Sequence, residues 1–330
     1  MIIFADIMNA TIIFAIPLLV VALGGMFSER SGTINIALEG IMIVGALFSC
    51  LYLNSVSKSG WGADHPLLAM LFAILIAGFS GIIFSLFLAL ASVSLKADQT
   101  IGGTALNMFA PAFAIVLTWA IQGQGQTTIE IPTWVRITQQ SLGLTPSATP
   151  NFMETFIFKN LFLTTPVVLL FLAITVFVIY KTRFGLRLRA CGEHPQAADS
   201  VGINVYRLRY TGVGISGFLG GIGGLAFTIA AGSGFQSTVA GYGFFALAVM
   251  IFGNWKPVRI FGAALFFALF KVIGSYTGSI SFLPRFEGVK SADYIYQMLP
   301  YIVTMIVLIF TSKKSRAPKA EGIPYDKGTR

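Results

Sequence analysis

Five polar side chains sit where an otherwise apolar chain tolerates them least. Asn35, Gln99 and Thr100 stand at the mouths of long apolar runs, Glu39 a few residues inside one, and Asn107 deeper still. An amide left unpaired in hydrocarbon is costly, so Asn107 is expected to face protein or a wet cavity. Such groups can hydrogen-bond a polar solute, which makes these five candidates for a translocation pathway. A charge at a bilayer centre costs about 2.5–3.5 kcal/mol on insertion scales and less toward the ends. Glu39 is therefore expected near a boundary, still wet, and Lys271 is expected to snorkel toward one. None of this is catalytic chemistry. No paired carboxylates or Ser/His/Asp set is visible, and the two histidines, His65 and His194, both fall in loops. There is no zinc-ligand spacing, so no metal is expected, and no G-x-x-x-x-G-K-[ST] loop to cradle ATP.

A second set of residues does its work by position. Arg189–Asn204 is a polar segment punctuated by Gly and Pro, flanked by Lys181, Arg183, Arg187, Arg189, Arg207 and Arg209. Pro195 suits the first position of a helix. Gln196–Val201 supplies one or two turns, and Gly202 stops them. The expected product is a short helix with an alanine face, lying on the membrane surface and available to a soluble partner.

The elements that must position these residues are apolar helices. The chain is 55% hydrophobic and 11% charged, with a mean hydropathy of +0.80, whereas soluble domains carry about 25% charged residues. Runs near 20 residues long predict nine spans, within a range of eight to ten. They fall at 7–27, 36–53, 66–91, 101–121, 160–180, 211–232, 236–253, 258–277 and 295–311, with 36–53 and 236–253 the shortest. The first run has no basic n-region, so it reads as a span and not as a signal peptide.

With the C-terminus inside, the inner loops carry sixteen Lys/Arg and the outer loops five. This is the positive-inside skew, and it predicts an N-out, C-in topology. The net charge of +9 is thus assigned to an anionic leaflet, the lipid bilayer being a partner and nucleic acid not. The expected organisation is one membrane domain over 1–311, with a polar loop at 181–210, and a disordered basic tail over 312–330. Segments 122–159 and 279–297 are long enough to receive an external protein. Cys50 and Cys191 fall in a span and in the polar loop, which predicts no disulfide.

Gly212–Gly224 contains the overlapping small-residue pairs Gly217/Gly221 and Gly220/Gly224. In lipid such pairs allow helix backbones to approach closely. Ordinary packing within the chain and a crossing at a pathway or subunit interface both fit the pattern.

The stretch Gly192-Glu-His-Pro-Gln-Ala-Ala-Asp-Ser-Val-Gly-Ile203 resembles the coupling loop of ABC importer permeases that serve branched-chain amino acids, simple sugars and nucleosides. Ser28–Gly45 is similar to that family's N-terminal signature, and Gly241–Pro257 to its late-span motif. Ala97–Asn107 looks most like the nucleoside branch, whose partners are basic-membrane-protein-type binding lipoproteins. His194 stands where such loops often carry Asn. The resemblance implies an all-α polytopic protein of a bacterial cytoplasmic membrane that pairs with a second, different permease chain. It also implies a separate ATPase that holds ATP and Mg, this chain binding no cofactor, and an external substrate-binding lipoprotein. Gly192, Glu193, His194, Pro195, Ala197, Ala198, Gly202 and Ile203 are then the expected ATPase-coupling residues. Nucleosides are the first substrate class implied, with sugars and branched-chain amino acids as alternatives. A carrier or channel acting alone is the competing reading; it finds few mid-membrane coupling groups here.

Overall fold

The computed structural model describes residues 2–137, 161–275 and 316–327, with isolated positions at 152, 156, 298, 302, 303, 305, 306 and 309. Its framework is helical: α1 (Ile2–Arg30), α2 (Leu38–Lys58), α3 (Trp61–Asp64), α4 (Pro66–Ala89), α5 (Gln99–Gln122), α6 (Thr164–Lys181), α7 (Arg183–Glu193), α8 (Pro195–Ser200), α9 (Val205–Ala231), α10 (Tyr242–Phe252) and α11 (Pro257–Ser275). A π-helical turn, Leu90–Ser94, extends α4. The two-residue strands β1 (Arg136–Ile137) and β2 (Leu161–Phe162) pair antiparallel, Arg136 opposite Phe162.

Local chemistry fixes the helix ends. The Asp98 carboxylate accepts from the N–H groups of Thr100 and Ile101 at 2.8 and 2.9 Å, which caps α5. Asn204 caps α9 in the same way through Arg207 N–H. α9 ends at Gly232, whose φ of +68° is left-handed.

Helix α9 is the centre of the molecule, packed against α1, α2 and α4. Its glycines make that possible. A Cβ at Gly221 would collide with the Ala77 carbonyl of α4, one at Gly224 with the Met42 carbonyl of α2, and one at Gly217 with Ser85 and the Gly81 carbonyl. At Gly220 the neighbour is Ile41 of α2, at 2.9 Å. All four glycines predicted to mediate helix packing therefore serve crossings within this chain. The outward faces are apolar instead: Phe79, Ile83 and Phe87 on α4 and Leu170 and Phe177 on α6 are exposed, as suits helices solvated by lipid.

Seven helices among the described residues are long and apolar enough to cross a membrane: α1, α2, α4 with its π turn, α5, α6, α9 and α11. They account for seven of the nine expected spans. The expected span 236–253 is different. Its helix, α10, has 11 residues, or about 16 Å of rise against a hydrocarbon layer of about 30 Å. The span expected at 295–311 and the outer segment 279–297 lie outside the fully described stretches, as does most of 138–160.

The tail corrects the sequence reading most plainly. Residues 316–327 are not a free basic end. Ala320 and Tyr325 are buried, and Ala320 N–H donates to the Gly192 carbonyl at 2.8 Å.

Candidate functional site

Two backbone breaks define the site. The first separates α1 from α2. Gly32, at φ +94°, stops α1 with two turn bonds, Gly32 N–H to Glu29 O at 2.9 Å and Thr33 N–H to Ser28 O at 3.2 Å, a Schellman arrangement. The chain stays non-helical until Leu38. Non-helical backbone at membrane depth must find partners inside the protein, and here α5 provides them.

Gln99, Gly103 and Asn107 recur every fourth residue and so share one face of α5. The Gln99 side-chain oxygen accepts from Ile34 N–H at 2.7 Å. Asn107 donates to the Ile36 carbonyl and accepts from Gly40 N–H, both at 2.8 Å. Gly103 lies between them because a Cβ there would come within 3.0 Å of Ile36. Eight residues of α5 span roughly 12 Å, so the unwound segment runs well into the apolar layer. Asn35 is fully buried and donates from Nδ2 to the Ser216 hydroxyl of α9 at 2.8 Å.

The second break precedes α10. Between Ala231 and Tyr242 the chain takes left-handed φ at Gly232, Gly234, Ser237, Ala240 and Gly241. Phe235 there exchanges two backbone bonds with Ile129 at 2.9 Å each. Glu39 joins this break to the first. Its two carboxylate oxygens accept from Gly241 N–H at 2.8 Å and Gly243 N–H at 2.7 Å. An anion placed on the N-terminus of α10 meets both free amides and the positive end of the helix dipole. Glu39 is therefore not a wet boundary carboxylate: it is 7% exposed and lies between two elements. Nor does Lys271 simply extend to an interface, since its Nζ is 4.1 Å from the Tyr242 ring centroid.

The far end of α10 is held by α1. The Trp255 indole N–H donates to the buried Glu29 carboxylate, and Arg30 Nη2 donates to the Trp255 carbonyl at 2.8 Å. The two glutamates of Ser28–Gly45 thus grip opposite ends of one half-helix. Sequence reasoning singled out Glu39 but not Glu29, Arg30 or Ser216. The available signals were Glu29 and Arg30 falling within the same motif as Glu39, and Ser216 falling among the glycines of Gly212–Gly224.

Of the five pathway candidates, Asn35, Glu39, Gln99 and Asn107 come together, bonded to backbone or to each other's elements. Thr100 stands apart: it is exposed, and its N–H belongs to the Asp98 cap.

The polar loop folds into α7 and α8. Glu193 ends α7, and α8 runs from Pro195 to Ser200. Gly202, at φ +81°, closes it by donating to Asp199 O at 2.9 Å, while Ile203 N–H donates to Ala198 O at 3.1 Å. The surface α8 offers is narrower than the list of expected coupling residues. His194, Gln196, Ala197, Ser200, Val201 and Gly202 are exposed, and Glu193 and Ile203 half-buried. Gly192, Pro195 and Ala198 face inward. Ala198 packs with Cys191, Val205, Leu208 and Tyr325, and a Cβ at Gly192 would strike the Arg30 carbonyl. Burial raises the Cys191 thiol to about 11, so it stays protonated and acts as packing.

Comparison with known proteins adds the relatives. The guanosine ABC transporter permease NupQ of Bacillus subtilis is 41% identical over 98% of this chain and 97% of its own. The nucleoside ABC transporter permease NupC of Lactococcus lactis is 40% identical, over 96% and 95%. A putative glucose ABC transporter permease of Haloferax volcanii, TsgC13, is 28% identical over 93% and 91%. Residues 7–311, the stretch that contains both breaks and α8, match the branched-chain amino acid transport system / permease component family, and the chain belongs to that family.

Proposed function

We propose that this protein is the permease subunit of an ABC importer for nucleosides, a multi-pass protein of the bacterial plasma membrane. The observation that carries this reading is identity of about 40% along nearly the whole length of two relatives named for guanosine and nucleoside transport. The geometry supports it. Discontinuous helices in transporters gather near the solute path, and a free half-helix N-terminus there attracts anionic groups. In this chain Glu39 already occupies the N-terminus of α10, which favours a neutral solute such as a nucleoside over an amino acid carboxylate.

The proposed orientation is N-out and C-in, which places α7, α8 and the tail in the cytosol. Closure of an ATPase pair, which holds ATP and Mg, pushes on the exposed side of α8. The buried side passes that push to α7 and α9, and α9 carries it to the two breaks through its glycine crossings. A second, different permease chain completes the path, and an external binding lipoprotein delivers the solute. Thr100, on the exposed side of α5, and the residues of the first break are the proposed lining.

The test is affinity isolation from the native membrane followed by uptake competition. Recovery of an ATPase and a second permease is expected, with guanosine uptake suppressed by excess uridine or adenosine and unaffected by glucose or leucine. Suppression by glucose or leucine alone would replace the nucleoside assignment.

A further inference from the structure

We infer that residues 316–327 form a strap that positions the coupling helix α8, with Tyr325, Arg209 and Ala198 as its positioning residues. The inference rests on the permease reading above. The strap touches turns at the ends of α1, α7 and α10, the loop between α4 and α5, and α8 itself. Its first residue, Arg316, donates N–H to the side-chain oxygen of Asn254 in the α10–α11 turn at 3.1 Å. Ala320 N–H takes the Gly192 carbonyl at the end of α7. Glu321 meets Glu29 at the end of α1. Asp326 pairs with Lys96, between α4 and α5, at 2.9 Å, and Lys327 lies 3.8 Å from Asp199 on α8 itself.

Two anchors are buried and so outweigh the surface ion pairs, which are worth little singly. Arg209, 1% exposed on α9, donates from Nη1 to the Ile323 carbonyl at 2.9 Å. Its guanidinium lies over Gly32, where a Cβ would come within 2.9 Å of Nη2. Tyr325 stacks edge-on against Tyr206, with centroids 5.4 Å apart, and shares a cluster with Ala198, Val205 and Leu208. The inner side of α8 thus rests on Tyr325 of the tail as well as on α7 and α9. A displacement of α8 moves Tyr325, and the strap carries it to the α4–α5 loop that leads into Gln99 and to the turn that leads into the first break.

The experiment uses the full complex with its ATPase, comparing wild type, Tyr325→Ala, Tyr325→Phe and a chain ending at Ser315. Membrane accumulation, ATPase binding, ATP hydrolysis and radiolabelled guanosine uptake are read side by side. Tyr325→Ala is expected to accumulate and to bind ATPase normally, while uptake per ATP falls about tenfold, within the usual range of coupling between sites. Tyr325→Phe keeps the ring and is expected to restore the ratio, and the shortened chain to match or exceed the loss. An unchanged ratio in Tyr325→Ala would overturn the inference. So would an equal loss in Tyr325→Phe, loss of ATPase binding, or failure of Tyr325→Ala to accumulate, which would make the tail a docking surface or a plain clamp. Wild type lacking ATP-driven guanosine uptake would instead count against the permease reading, before any strap variant is compared.

Discussion

Asn107 shows how one side chain supports a stretch of unwound backbone. It answers a carbonyl at Ile36 and an N–H at Gly40, two groups that no helix or strand pairs. Leucine has the same branching at Cγ and can do neither. Orphaning a buried polar group costs about 1–3 kcal/mol, so Asn107→Leu is expected to destabilise the protein by at least that amount. A thermal melt in detergent reads this as a lower midpoint; an unchanged midpoint would mean the break is held elsewhere. Glu39→Gln is expected to cost about 1–3 kcal/mol as well. An amide offers one oxygen to two N–H donors and turns its own NH2 toward the second.

At the scale of elements, α8 is a helix with two distinct sides. Ala198 is 3% exposed, while Val201, the residue that caps the helix three positions on, is 73% exposed. Val201→Asp is therefore expected to weaken ATPase binding with the fold intact. Ala198→Asp is expected to lower stability, since it buries a charge among Cys191, Val205 and Tyr325. Pull-down and thermal shift on the same two variants separate the effects, and identical behaviour would contradict the assignment. Gly221→Ala tests the α9–α4 crossing in the same way: its methyl group meets the Ala77 carbonyl, and overpacking typically costs about 1–3 kcal/mol.

The start and stop of α8 were legible in Pro195 and Gly202 because they are local signals. That its two alanines lie on opposite sides, Ala197 outward and Ala198 inward, was not, because the inner side is set by Tyr325, more than a hundred residues away. The same distance hid the partner of Glu29. Asn107 was legible as an amide out of place, but its role as a clip for backbone needed the break at Ile34–Ala37 to be seen.

The whole molecule is drawn together on the α8 face by its own C-terminal segment, and that closure is sensitive to pH. Burial raises Glu321 to about 7 from its ordinary value of 4.5, and its hydrogen bond with Glu29 offsets part of that rise. A carboxyl group raised on docking favours the docked tail fully below its undocked value and loses that contribution as pH climbs through the docked value. Protease protection of residues 316–327 is therefore expected to fall between about pH 4.5 and 7. Glu321→Gln is expected to flatten the profile, and protection that rises with pH would contradict it.

The most direct measurement of the central claim is guanosine uptake into proteoliposomes containing this chain, its co-purified permease and ATPase partners and the external binding protein. Uptake is expected only with ATP inside and all components present. Equal uptake by this chain alone, without ATP, would contradict the account.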